Sequence, residues 1–169
     1  KNAYRDFVGG GILDEETMLK FVNAIGRDNA RFPMHWDDSD NAGFTTGTPW
    51  ISVNENYKKI NAAAQVNDPD SVFSYYKKLI ELRHQMEIIV YGVYKSKAIE
   101  HPDVFAYTRT LGDEKLFVVC NFREQEMDFT LEDGFTGDEK VLISNYDDVV
   151  KTENGIYLRP YEAKVFYRK

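Results

Sequence analysis

The sequence predicts an α+β chain, with a helical and irregular first half and an antiparallel β-sandwich behind it. Three observations carry this. Apolar residues recur at three- and four-residue spacing before Gly26 and again after Pro69. Between these stretches about forty residues show no period, which a compact domain rarely carries unless the loop is functional or anchored. From Ile88 onward the period changes to two, with turn signals about every twelve residues, the pattern of a sandwich.

The first helix is expected from Asp14 to about Ile25, with Met18, Phe21, Val22 and Ile25 on one stripe. Asp14, Glu15 and Glu16 suit the positive end of its dipole, and Gly26 suits its stop. Residues 27–67 are rich in Asn, Asp, Gly, Thr and Pro. A second helix is expected from Asp68, as N-cap, with Pro69 at the first helical position. Its broad, mainly apolar face would comprise Val72, Phe73, Tyr76, Leu79, Ile80 and Arg83. Strands are expected at 88–99, 104–110, 115–122, 126–131, 140–145, 155–159 and 162–168. Leu111-Gly112-Asp113-Glu114 reads as a hairpin turn. In LFVVCNF, Phe117 and Val119 should face one way and Val118 and Cys120 the other, marking a central strand covered on both faces.

The chain has 169 residues, of which 43% are hydrophobic and 14% aromatic, so a folded core is expected. A net charge of −7 argues against nucleic acid as the main partner, because phosphate binding needs a basic face. The single cysteine, Cys120, lies in an apolar run and reads as a buried thiol, not a nucleophile. The chain suits a reducing compartment, and a cytoplasmic location is expected. No apolar run reaches the roughly eighteen residues of a spanning helix, so no membrane partner is expected. The first residues lack the apolar core of a signal peptide.

Few residues announce chemistry. Glycoside hydrolysis needs two carboxyl groups about 5–9 Å apart, and nothing singles out such a pair among the 28 acidic residues. Asp37, Asp38 and Asp40 read as turn or cap residues. His35, His84 and His101 lack ligand spacing, so no metal site is expected, and no cofactor motif is present. Arg27 and Arg31 stand out, four apart just beyond a helix stop. A guanidinium there can grip a carboxylate bidentately and still offer donors to sugar hydroxyls. It can equally anchor the loop to a neighbouring carboxylate, and the residues alone leave both readings open. Trp36 and Trp50 read as a sugar-stacking platform or as buried anchors of the loop.

The stretch GRDNARFPMHWDDSDNAGFTTGTPWISVNENYKKIN resembles a segment near the barrel end of α-amylase-superfamily (glycoside hydrolase family 13) oligo-1,6-glucosidases. Dextran glucosidases, α-glucosidases, trehalose-6-phosphate hydrolases and isomaltulose synthases share that segment. The likeness continues through SVFSYYKKLIELRHQMEIIVYGVY and FAYTRTLGDEKLFVVCNF to LRPYEAKVFYRK, covering nearly the whole chain from Asp14. It implies the last βα segment of a (β/α)8 barrel over residues 1–87, ending in the final barrel helix. The antiparallel β-sandwich called domain C would occupy residues 88–169. It also implies that Arg31 is similar to the family arginine that reaches the −1 glucose and pairs with an acidic residue from an early barrel loop. Arg27 matches the arginine at the start of the motif and is the second expected substrate-binding residue. Asp28 and Asn29 would hold the loop in shape. Phe32 and His35 depart from the pattern, where Thr and Gln are common.

The family's catalytic carboxylates lie on earlier barrel strands, and none of their motifs occurs here. The chain therefore looks like the C-terminal part of a retaining exo-acting α-glucosidase cleaving α-1,6 bonds, with α-1,4 as a second linkage, in short oligosaccharides. By itself it would be inactive, with an oligosaccharide partner reached only through the rest of the barrel. The alternative is a carbohydrate-binding or non-catalytic module of the same superfamily, with Tyr91, Tyr94, Tyr107 and Tyr146 as available aromatics. Residues 1–67 would lose their barrel cover in the isolated chain and be rearranged, partly disordered or buried by self-association. Hydrogen exchange of the isolated chain should then show low protection from Arg27 to Asn67 and high protection in the strands after Ile88. Uniformly high protection in a monomer would contradict this.

Overall fold

The computed structural model describes residues 2–169, with the side chains of Asn2, Asp28 and Asn29 outside the description. The expected role of Asp28 and Asn29 in shaping the loop therefore lies outside the described residues. Two compact units are present, residues 1–73 and 74–169.

The first unit opens with α1 (Asn2–Phe7) and α2 (Glu15–Ile25). Asp14, expected at the helix start for its charge, is the N-cap of α2: its carboxylate accepts from the Thr17 N–H at 2.8 Å and from its hydroxyl at 2.7 Å. Gly26 stops the helix, its N–H donating to the Val22 carbonyl at 2.8 Å. Of the predicted stripe only Met18 is buried, while Phe21, Val22 and Ile25 stay exposed. The irregular stretch folds as three 3-10 turns, Arg27–Ala30, Asp40–Gly43 and Glu55–Lys58, followed by α3 (Ala62–Val66). Asn61 caps α3, accepting from the Ala64 N–H at 2.9 Å and donating to the Tyr57 carbonyl at 2.9 Å.

The second helix, α4 (Val72–Gln85), starts later than its sequence suggests. The Asp68 carboxylate is taken by the Asp70 N–H at 2.9 Å, closing an Asx turn with Pro69 inside it. The Ser71 hydroxyl then donates to the carbonyls of Gln65 (2.7 Å) and Asp68 (2.8 Å), so helical winding begins only at Val72. Its predicted apolar face of Val72, Phe73, Tyr76, Leu79 and Ile80 is exposed.

The strand expected at 88–99 divides into α5 (Glu87–Tyr91) and β1 (Val93–Lys97). The apolar run Ile88–Tyr91 has no period of its own, and a single helical turn lets it cover strands while Gly92 ends it. The other strands are β2 (Val104–Leu111), β3 (Glu114–Asn121), β4 (Met127–Thr130), β5 (Lys140–Ser144), β6 (Val150–Thr152), β7 (Gly155–Leu158) and β8 (Ala163–Arg168). All but β6 were expected. Its three residues are too short to show alternation. The 111–114 hairpin forms as read: Leu111 pairs with Glu114, and Gly112 takes a φ of +56° that favours glycine.

One sheet has the order β1-β2-β3-β8-β5 and the other β4-β7-β6, all pairs antiparallel. Their facing sides enclose Val104, Ala106, Phe117, Val119, Phe129, Ile156, Leu158 and Phe166. The strand β3 is central, as expected, with Phe117 and Val119 fully buried on the core side. On the opposite side Leu116 is buried, but Val118 and Cys120 are only half-covered, where α5 packs against β2 and β3. Burial pushes the Cys120 thiol up, away from the reactive thiolate. Among the described residues no helix is long and apolar enough to cross a membrane.

A charged cluster lies where β7 leads into β8. Glu162 and Lys164 are 0% and 1% exposed and pair directly. Arg159 donates to both Glu162 carboxylate oxygens at 3.0 Å and to the Asp148 carboxylate at 2.7 Å, and its guanidinium lies 4.0 Å over the Tyr146 ring. Burial pushes the Glu162 carboxyl up, but the hydrogen bonds from Arg159 and Lys164 outweigh it and hold it below its usual range. A depressed carboxyl contributes stability above its unfolded pKa and loses it as pH falls through the folded value. Glu162→Ala should therefore cost about 3–5 kcal/mol, because Lys164 is left buried and uncompensated. Urea titrations should also show a shallower loss of stability below about pH 4 in Glu162→Gln than in the parent. Equal acid slopes would mean that the pair contributes nothing.

Candidate functional site

The stretch that carries the candidate arginines has its described ties to distant residues on the downstream side. Upstream, Arg27 sits in the 3-10 turn that follows Gly26. Downstream, Pro33 is buried and fixes its own φ, which also restricts Phe32 before it. The backbone then ties to residues far along the chain. The His35 carbonyl accepts from the Ala62 N–H and the Trp36 carbonyl from the Ala63 N–H, both at 2.9 Å. The His35 ring adds a third tie through Nδ1, 3.0 Å from the Ile60 carbonyl. These contacts place the start of α3 against the 33–36 segment.

A tight corner follows. Asn41, Ala42 and Gly43 have φ of 53°, 58° and 64°, three consecutive left-handed residues. Asn41 stabilises the corner by donating its amide to the carbonyls of Thr45 and Gly47, each at 3.2 Å. The Ala42 carbonyl accepts from the Trp36 N–H at 2.9 Å, and Ala42 is buried. Asp37 is the turn residue the sequence suggests. Its carboxylate accepts from the Ser39 hydroxyl and from the Ser39 N–H at 2.9 Å, and these bonds, the hydroxyl first, hold it below its usual range. That carboxylate also lies where a side chain on Gly43 would go, 2.7 Å from an ideal Cβ.

Arg27 and Arg31 are both exposed, and neither has an ion-pair or side-chain hydrogen-bond partner among the described residues. The intramolecular anchoring role that the residues alone left open is therefore absent within the described residues. Trp36 is exposed and Trp50 is 96% exposed, so neither is a buried anchor. Phe32, Pro33, Met34, His35, Ile60 and Phe73 line an open groove of about 340 Å³. Both departures from the family pattern, Phe32 and His35, thus line this groove. The sequence did not single out Asn61 or Gln65. The signal for Asn61 was present, an amide directly before AAAQ, as helix caps often read. Gln65, whose side-chain oxygen accepts from the Phe73 N–H at 3.3 Å, carried no local signal. Among the described residues no cluster of three His, Cys, Asp or Glu could hold a metal ion.

Two family profiles match the chain: "Alpha amylase, catalytic domain" over residues 9–92, and "Alpha-amylase SusG C-terminal domain" over residues 104–165. The chain belongs to the α-amylase superfamily. An oligo-1,6-glucosidase of Parageobacillus thermoglucosidasius is 51% identical over 167 residues, covering 98% of this chain and 30% of that protein. A trehalose-6-phosphate hydrolase of Bacillus subtilis is 42% identical over 168 residues, with 98% and 30% coverage. The crystal structure of the Bacillus licheniformis trehalose-6-phosphate hydrolase superposes with a TM-score of 0.88 at 41% identity, covering 98% of this chain and 30% of that one. The chain thus spans about three-tenths of the length of the curated relatives it matches. Its fold is the superfamily's barrel-end segment followed by the antiparallel C-terminal sandwich, as the sequence implied.

Substituting Gly43 tests the corner that follows the arginine segment. Gly43→Ala forces a Cβ into the left-handed region and onto the Asp37 carboxylate, at a cost of about 1–2 kcal/mol. Limited proteolysis between Trp36 and Trp50 should speed up several-fold while the sandwich amides keep their protection. An unchanged cleavage rate would show that the corner is not strained by a side chain.

Proposed function

We propose that these residues form the closing part of the barrel and the domain C of a retaining exo-acting α-glucosidase. It would hydrolyse α-1,6 bonds in short oligosaccharides, with α-1,4 as its second linkage. The observation that carries the reading is Arg31: exposed, without a partner among the described residues, on a pinned loop, in a chain 51% identical to an oligo-1,6-glucosidase. A free guanidinium has donors for two neighbouring sugar hydroxyls and a charge for a carboxylate, and both contacts strengthen once water is excluded. Arg27 is the second substrate-binding residue of the proposal. Hydrolysis itself requires a carboxylate nucleophile and a carboxylic acid across the scissile bond. In this reading both are supplied outside these 169 residues.

The proposed division is residues 1–87 to the barrel and 88–169 to domain C. The exposed apolar residues of α2 and α4 support it, because an uncovered amphipathic face calls for a partner surface. The remainder of the barrel is that partner in the longer protein, and self-association replaces it in the isolated chain. A cytoplasmic location fits the lone, half-buried thiol.

The isolated 169-residue chain should not release nitrophenol from p-nitrophenyl-α-glucoside, and measurable turnover by pure chain would refute the assignment. In the longer protein Arg31→Lys should lower kcat/KM for isomaltose by about 30- to 1000-fold, as expected for loss of a charge-assisted, planar contact. Arg31→Lys with parental kcat/KM would remove Arg31 from the subsite.

A further inference from the structure

We infer that His35 is the positioning residue for Arg31, fixing the direction of the RDNAR loop through its ring bond to the Ile60 carbonyl. The inference rests on the α-glucosidase reading, since it names what sets the subsite arginine in place. Arg31 has no partner of its own among the described residues, so its direction follows from the main chain that carries it. That main chain leaves the short turn Arg27–Ala30 and is next held at Pro33 and His35. Among the described residues the His35 ring makes the only side-chain hydrogen bond from the segment 31–36. Its anchor is itself rigid. The Ile60 N–H donates to the Asn56 carbonyl at 2.9 Å, and Asn61 beside it ties Tyr57 to α3. The Tyr57 ring meets the His35 ring edge-on at 6.1 Å.

The chemistry places one proton on the ring. A carbonyl oxygen only accepts, so Nδ1 must carry a proton. Nε2 is buried and without a partner among the described residues, so the pin uses one nitrogen alone. A glutamine side chain, which can present an amide N–H at similar reach, should therefore replace the ring. An alanine cannot, and would leave a carbonyl unpaired at the base of the loop.

The test is a double-mutant cycle in the longer protein, with isomaltose as substrate. His35→Ala should lower kcat about 10- to 100-fold with little change in KM. His35→Gln should recover activity to within about threefold of the parent. In an Arg31→Ala background His35→Ala should change the rate less than about twofold, because the residue acts through Arg31. An equal loss in both backgrounds, or no rescue by glutamine, would overturn the proposal and leave His35 a general stabiliser. Two further readouts do not depend on activity. Imidazole nitrogen shifts should show His35 protonated at Nδ1, and amide exchange at Ala62 and Ala63 should quicken about tenfold in His35→Ala but not in His35→Gln. The opposite tautomer or unchanged exchange would refute the pin. A correct tautomer and quickened exchange in a protein without glucosidase activity would instead refute the functional assignment.

Discussion

Phe117, fully buried at the centre of β3, meets Phe129 at 6.3 Å and Phe135 at 5.3 Å between ring centres. The sandwich depends on this contact, because it joins the middle strand of the larger sheet to the smaller sheet and its following loop. Each fully buried aromatic of this size contributes several kcal/mol, and truncation would leave a void that neighbouring strands cannot fill. Within residues 74–169 the two sheets cover each other's inner faces and form a core, while the apolar residues of α4 stay exposed. Residues 1–73 obey the same constraint differently. Their helices have apolar stripes, but Phe21, Val22 and Ile25 face solvent. Short turns, caps and backbone ties give that unit its local shape without a comparable core.

This difference explains what the sequence revealed. Alternation made seven strand positions readable, because burial on one face imposes a period of two on any strand long enough to show it. The three-residue β6 is below that length. Ile88–Tyr91 was misread because a continuous apolar run looks alike in a buried strand and in a buried turn of helix. The start of α4 differs because Asp68 and Pro69 serve a turn and a helix entry equally well, and the Ser71 hydroxyl decides between them by bonding the Gln65 and Asp68 carbonyls. Residue-level chemistry was less readable. Arg31 was singled out by its motif, whereas the tie from His35 to Ile60 spans 25 positions and leaves no local trace.

The loop's construction bears on how an α-glucosidase of this family could vary. The arginine is proposed to touch sugar, and the neighbouring positions 32, 33 and 35 line a groove in the same segment. Substitution there leaves the motif's charge intact while moving the guanidinium. A displacement of an ångström in such a contact can outweigh the loss of an entire surface ion pair. Phe32 and His35 are the two departures from the family pattern in this segment, and both line the groove.

The central claim is that these residues complete an α-glucosidase barrel that they cannot replace. The most direct measurement exchanges the chain for the matching 167 residues of the Parageobacillus thermoglucosidasius oligo-1,6-glucosidase, which is 51% identical to it. Isomaltose hydrolysis by the purified chimera is then followed. The chimera should fold, hydrolyse isomaltose and lose that activity when Arg31 is replaced by alanine. A chimera that folds and binds isomaltose but does not hydrolyse it, or one indifferent to Arg31, would contradict the account.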